Sequence, residues 1–250
     1  MMIDLNCDMG ESFGRYVLGS DEAIMPHITS ANIACGFHAG DPMVMTQTVA
    51  LAARRGVSVG AHPGYPDLQG FGRREMSLAP DEVEAMVLYQ IGALAGLARA
   101  AGAEVAHVKP HGALYNQAAT DRALANAIAR AVARLSKNMI LVGLAGSALI
   151  EAGIEAGLHT ANEGFPDRAY NPDGTLRSRK LPGAVLASPE EASANAVKLA
   201  KEGIAFGVRR VNVDTLCIHG DNANAAEIVR AVRATLAANG VDVKPMPMFL

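Results

Sequence analysis

A chain of 250 residues, half of them hydrophobic and 19% charged, suits an ordinary globular protein and is long enough to close one α/β barrel around a single core. Its 22 Lys and Arg against 25 Asp and Glu leave a formal net charge of −3 and no long basic block, so the electrostatic footprint of nucleic-acid binding is missing. The opening Met1-Met2-Ile3-Asp4 lacks a basic n-region before an apolar stretch, and no run approaches about 18 uninterrupted apolar residues, so the expectation is a cytoplasmic chain, neither exported nor membrane-inserted.

Residues 2–6 read as a first strand, followed by Cys7-Asp8-Met9-Gly10-Glu11. A looser segment through Pro26 leads to a second strand over 28–34, which ends in Cys35-Gly36-Phe37-His38-Ala39-Gly40-Asp41. Asp41 suits an N-cap and Pro42 a first helical position, and that helix closes at Arg54-Arg55-Gly56 with a basic last turn and a C′ glycine. A third strand over 57–61 runs into His62-Pro63-Gly64-Tyr65-Pro66-Asp67, and a glycine-rich loop then carries Arg73 and Arg74. Pro80 opens a long helix with Val83, Met86, Val87, Ile91 and Leu94 at helical spacing.

The fourth strand, 104–109, leads into Lys109-Pro110-His111-Gly112-Ala113-Leu114-Tyr115-Asn116, with a helix over 121–136 after it. Met139–Gly143 is the most apolar strand, and a sixth strand over 158–162 precedes Glu163, Asp167 and Arg168. Residues 169–186 stay polar, with a turn signal at Asn171-Pro172-Asp173-Gly174, and 164–187 read as a hairpin or lid. Ser188-Pro189-Glu190-Glu191 is a capping box that starts a helix, 211–218 is the last strand, ending in His219 and Asp221, and 241–250 is a proline-broken tail.

About seven strands alternating with helices imply parallel strands with right-handed crossovers. A seven-stranded (β/α) barrel in one domain is the expectation, with a doubly wound open sheet as the alternative. In either fold the polar turns that follow the strands share the face that carries the site. The candidate catalytic set is Asp8, Glu11, His38, His62, Lys109, His111, Glu163 and His219, and the candidate substrate-binding set is Asn32, Asp41, Tyr65, Arg73, Tyr115, Asn116, Asp167, Arg168 and Asp221. Histidine supplies acid–base chemistry or metal ligation near neutral pH, and four strand-end histidines together are hard to assign to packing alone.

Each residue also has a bland reading. Asp41 and Asp221 directly precede helices and fit N-caps. Asp67 fits a local turn bond, and Arg73 fits a solvated loop as well as a bidentate anion clamp. Asp8, His38 and His62 are candidate ligands for a divalent metal, since a carboxylate with two histidines is usual ligand chemistry. Cys7, Cys35 and Cys217 are odd in number and widely spaced, which fits buried thiols at strand ends, not a disulfide framework or a zinc ribbon. Neither a P-loop nor a strand-to-helix G-x-G-x-x-G is present, so any use of ATP does not run through those motifs.

The blocks Asp4–Glu11, Asn32–Pro42, Gly60–Asp67, Gly70–Arg74, Val108–Asn116, Glu163 with Asp167–Tyr170, and Ile218–Asp221 resemble those of the lactam-utilisation family, in order and over nearly the whole chain. The resemblance implies a (β/α) barrel akin to the glycoside hydrolase and deacetylase superfamily. It also implies the A subunit of a prokaryotic ATP-dependent 5-oxoprolinase, which opens 5-oxo-L-proline to L-glutamate with ATP as co-substrate and two other subunits as partners. The general base would then be Glu163, Asp8 or a strand-end histidine, with Lys109, His111 and Arg73 steadying the activated oxygen or the substrate carboxylate. The alternatives are a metal-dependent amide hydrolase or deacetylase acting alone, and a non-catalytic substrate-binding subunit.

Overall fold

The computed structural model describes residues 1–171, 175–177, 181–186, 188–218 and 224–250. Its strands are β1 (Met2–Met9), β2 (Ser30–Ala34), β3 (Ser58–His62), β4 (Val105–Val108), β5 (Ile140–Leu144), β6 (His159–Gly164), β7 (Ile204–Phe206), β8 (Arg209–Val211), β9 (Thr215–Cys217) and β10 (Asp242–Val243). Among the described residues, β1 to β6 and β9 pair in parallel in that order, and β9 pairs back onto β1, so seven strands close into a barrel. Closure removes the sheet edges that an open doubly wound sheet would leave.

The helices are α1 (Asp21–Ile24), α2 (Pro42–Arg55), α3 (Pro80–Ala100), α4 (Gly112–Ala118), α5 (Arg122–Leu135), α6 (Ala148–Glu155), α7 (Pro189–Glu202) and α8 (Ala225–Ala238). Most of the apolar core lies between the outer face of the barrel and this layer. Leu5, Cys7 and Met9 of β1, Ile33 of β2 and Val59 of β3 pack there with Val49, Val87, Leu94, Ile128 and Val229 from the helices. By length and composition α3 could cross a bilayer, but it buries Val83, Met86, Val87, Ile91, Leu94 and Ala98 and packs against α2 and α5.

The period of two sends the other residues of β1 inward, and these are polar: Asp4, Asn6 and Asp8. Asp4 accepts hydrogen bonds from Thr29, Ser30 and Thr215 across the barrel bottom. Burial raises Asp4 to about 6 in spite of these three hydroxyls. A second, small apolar cluster lies here too, where Met246 packs against Ile140, Val142 and Ala161. The register puts Gly60 of β3 opposite His107 of β4, and a Cβ at Gly60 would lie 2.0 Å from His107 Nε2, so only glycine admits the imidazole.

Three elements differ from the sequence expectation. The stretch read as one strand over 211–218 is divided, because Val211 ends the antiparallel hairpin of β7 and β8 and the barrel strand begins only at Thr215. The proline-broken tail still adds β10 beside β1, with Met2 opposite Asp242 and Ile3 opposite Val243. A short helix, α4, precedes α5 and places Tyr115 and Asn116 at the rim. In 164–187, bridges join Arg168 to Val185 and Tyr170 to Leu176, so the described part doubles back on itself.

Candidate functional site

The C-terminal ends of the strands surround a cleft of about 570 Å³ walled by Asp8, His62, Arg73, Lys109, His111, Tyr115, Asn116, Phe165, Arg168 and Arg177, among others. Its floor is a polar network. Lys109, in the residue after β4, reaches across the barrel and places Nζ 2.9 Å from Asp8 Oδ1, 3.0 Å from Glu163 Oε1 and 3.0 Å from Cys217 Sγ. Burial opposes a charge on Lys109, but Asp8 first, with Cys217 and Glu163 beside it, holds the ammonium well above the usual lysine range. The site therefore keeps a fixed positive charge between two carboxylates.

Both carboxylates are held from behind. Asn32 donates to Asp8 Oδ1 at 2.9 Å and to Asn6 Oδ1 at 2.7 Å, while its own Oδ1 lies 2.8 Å from His107 Nε2. Asn6 donates to Glu163 Oε1 at 3.0 Å, and Tyr115 donates its hydroxyl to Glu163 Oε2 at 2.7 Å. Burial first, then the adjacent Glu163 charge, pushes the Tyr115 phenol well above its ordinary value, so it stays a donor. Glu163 is fully enclosed, whereas the Asp8 side chain keeps 12% of its surface open to the cleft. Of the two carboxylates, only Asp8 is therefore open to the cleft.

Beside this floor lies a second group. His62 Nε2 is 3.4 Å from Asp8 Oδ2 and 3.0 Å from His111 Nδ1. His38 stacks on His111 with ring centroids 3.7 Å apart and planes 3° from parallel, and Glu11 Oε1 approaches both rings at 3.8 and 3.7 Å. Burial holds His111 down to about 3 and His38 well below the usual histidine range, with the neighbouring histidines adding to each shift. Gln90 of α3 braces the loop after His62, accepting from Gly64 N and donating to Gly64 O, both at 2.9 Å. Gly72 (φ +63) closes the other side, where a Cβ would fall 2.7 Å from His38 Cβ and 2.8 Å from His111 Cδ2. Four potential ligand atoms, one each from Glu11, His38, His62 and His111, lie within 4.8 Å of one another.

The chain matches the LamB/YcsF family over residues 3–250. The chain belongs to the LamB/YcsF family. Among curated relatives, the 5-oxoprolinase A subunit of Methylococcus capsulatus is 58% identical, with 99% of this chain and 97% of that protein covered. The crystal structure of a lactam utilization protein from Thermus thermophilus superposes with a TM-score of 0.91 at 49% identity, covering 98% of this chain and 99% of that one. The Bc1960 peptidoglycan N-acetylglucosamine deacetylase shares the fold alone, with a TM-score of 0.51 at 11% identity over 100% of this chain and 87% of that one.

This LamB/YcsF chain brings together Asp8, Glu11, His38, His62, Lys109, His111 and Glu163, with Asn32 behind them and Arg73, Tyr115, Asn116 and Arg168 around the cleft. Other expected residues stand elsewhere. Asp41 caps α2, accepting from Met43 N and Val44 N at 2.8 and 3.0 Å, and also from Gly14 N at 2.8 Å, and it is not in the cleft wall. Tyr65 is buried and donates to Gln117 Oε1 at 2.8 Å, and Asp167 is buried outside the cleft wall. The suggested metal set Asp8, His38 and His62 is regrouped, because Asp8 is engaged by Lys109 and Asn32 while Glu11 and His111 close on the other two. His219 and Asp221 lie outside the described residues. Arg168 donates to the backbone of Ala184 and Arg177, tying together the segments that follow β6.

Asn6, His107 and Phe165 lie outside the sequence-derived set. The alternation Asp4-Leu5-Asn6-Cys7-Asp8 carries the signal for Asn6, since a strand with polar residues at every second position has a polar inward face. All three cysteines are buried free thiols. Burial pushes Cys35 up to about 12 and Cys7 and Cys217 well above the usual thiol range, which disfavours their thiolates.

Proposed function

We propose that this chain is the A subunit of an ATP-dependent 5-oxoprolinase and that its barrel mouth opens the lactam of 5-oxo-L-proline to L-glutamate. The observation that carries the reading is the cleft floor, where Lys109 is held charged between Asp8 and Glu163 in a chain 51 to 58% identical to proteins named as 5-oxoprolinase A subunits. Two other subunits complete the assembly, and the reaction takes place in the cytoplasm.

An unstrained lactam resists water because amide resonance lowers the electrophilicity of its carbonyl carbon. Phosphoryl transfer from ATP to the lactam oxygen gives an imidate-like carbon. Water then adds to that carbon and the ring C–N bond breaks, with the amine taking a proton to leave an acyl phosphate. A second water hydrolyses that acyl phosphate to the side-chain carboxylate and inorganic phosphate. Asp8 takes the proton of the attacking water, since it is the carboxylate open to the cleft, and general-base assistance of this kind contributes about 10²–10⁴-fold. Lys109 Nζ stabilises the negative charge that builds on the oxygen. Glu163, with Tyr115 and Asn6, fixes Lys109 in position and never meets the substrate. Arg73 and Arg168 at the rim bind the substrate carboxylate, for which planar guanidinium groups are suited. The doubled-back segment after β6 covers the bound substrate through Thr175, Leu176 and Arg177.

Reconstitution tests the reading. The chain is mixed with its candidate partner subunits, each is omitted in turn, and 5-oxoproline-dependent ADP and glutamate are followed. Glutamate is expected only in the complete mixture with ATP. Glutamate made by this chain alone without ATP would establish the solitary hydrolase instead, and none in the complete mixture would refute the proposal.

A further inference from the structure

One buried group beside the cleft floor has no part in the ring-opening steps. Glu11 Oε1 stands 3.8 Å from His38 Nε2 and 3.7 Å from His111 Nδ1, and His111 Nδ1 stands 3.0 Å from His62 Nε2. Donor atoms around one tetrahedral ion, each about 2.0–2.1 Å from it, are roughly 3.4 Å apart. The three separations bracket that distance, and all four donor atoms lie within 4.8 Å of one another.

The protons on the rings decide what occupies such a shell. The Lys109 carbonyl only accepts, so His62 Nδ1, 2.6 Å from it, carries a hydrogen and donates. The Phe71 carbonyl fixes a hydrogen on His111 Nε2 in the same way, at 2.8 Å. In the neutral rings, the remaining nitrogens are then bare lone pairs facing each other across 3.0 Å, next to a carboxylate. That arrangement repels itself unless a cation sits within it.

His38 gives the independent sign. It is fully buried, and neither ring nitrogen has a hydrogen-bond partner among the described residues. A buried imidazole left in that state is unfavourable, and a proton shared by His62 and His111 would do nothing for it. An ion bound at its Nε2 would. Backbone carbonyls holding the far nitrogens of His62 and His111 are also the usual outer-sphere support of ligating histidines.

We propose that Glu11, His38, His62 and His111 bind one divalent transition-metal ion of the zinc class. Three imidazoles and a carboxylate favour Zn²⁺, Co²⁺, Ni²⁺ or Fe²⁺ over Mg²⁺ and Ca²⁺, which prefer oxygen shells.

The test uses untagged full-length protein, stripped with chelator and dialysed against Zn²⁺, with Co²⁺ as a spectroscopic probe. About one Zn²⁺ per chain is expected, with Co²⁺ giving the visible bands of a four-coordinate nitrogen and oxygen site. His38→Ala and the near-isosteric Glu11→Gln should each weaken uptake by more than about 100-fold, beyond the cost of losing an outer-sphere partner. His159→Ala, an exposed position, should bind as the parent does. Circular dichroism of each stripped variant reports folding, and a Zn²⁺-induced rise in the parent's Tm serves if a variant does not fold. Uptake below about a tenth of an equivalent by the folded parent, equal loss in His159→Ala, or preference for Mg²⁺ over Zn²⁺ would overturn the proposal. Neither substrate nor a partner chain enters the assay, so its outcome is independent of the ring-opening reading.

Discussion

Lys109 Nζ and Asp8 Oδ1 lie 2.9 Å apart across the inside of the barrel, joining the end of β4 to the end of β1. Lys109 is 4% exposed and Asp8 12%, so the pair is nearly desolvated and its charges act at close to full strength. Removing one member of a buried pair is far more costly than its net attraction, because the other charge is stranded. Lys109→Met should therefore lower stability by about 3–5 kcal/mol and abolish turnover. Urea unfolding and glutamate release by the complete complex measure the two effects, and a stable, active variant would show that the charge is dispensable.

Tyr115 contributes one hydrogen bond, 2.7 Å to Glu163 Oε2. Tyr115→Phe keeps the ring and leaves a buried carboxylate oxygen short of a donor, which costs about 1–3 kcal/mol. If the hydroxyl acts by positioning Glu163, turnover should fall by about 10-fold or more while the KM for 5-oxoproline moves little. A rise in KM alone would place the hydroxyl on the substrate.

Asp41 distinguishes a cap from a ligand. With both oxygens engaged by backbone N–H groups, Asp41→Ala should cost about 1–2 kcal/mol of stability. The Tm should drop while the KM of the folded enzyme for 5-oxoproline is retained. A raised KM at unchanged Tm would return Asp41 to the substrate-binding set.

His107 supplies a pH test. Burial is the main reason that it is held at about 3, so the folded protein keeps it neutral where an unfolded histidine has taken a proton. The unfolded state binds more protons from about pH 6.5 downward, so this group removes stability as pH falls through that range toward 3. Asp4, raised to about 6, acts oppositely between about 6 and 3.8, so the difference between variant and parent is the clean readout. Relative to the parent, His107→Gln should gain up to about 1.4 kcal/mol per pH unit below pH 6.5. Unfolding midpoints at pH 7.5, 6 and 5 check this, and a constant difference would mean that His107 is not held neutral.

Much of this was readable from residue types. Each barrel strand begins and ends within a few residues of its expected bounds, apart from the last, because buried parallel strands are short apolar runs ended by glycine-rich turns. The hairpin of β7 and β8 escaped because Arg209 and Arg210 break the apolar pattern, and β10 escaped because prolines mask a two-residue pairing. Strand-end position identified Asp8, His38, His62, Lys109, His111 and Glu163 as convergent. Their division into a Lys109-centred floor and a histidine group around Glu11 depends on side-chain reach across the barrel, for example from the end of β4 to Cys217 of β9. No spacing along one chain encodes that reach.

We propose that Asp8 activates water at the barrel mouth. The most direct measurement is 5-oxoproline-dependent glutamate formation by the complete complex carrying Asp8→Asn, with assembly verified by size-exclusion chromatography. The expected result is an intact complex with turnover reduced by at least about 100-fold. Turnover equal to that of the parent complex would contradict it.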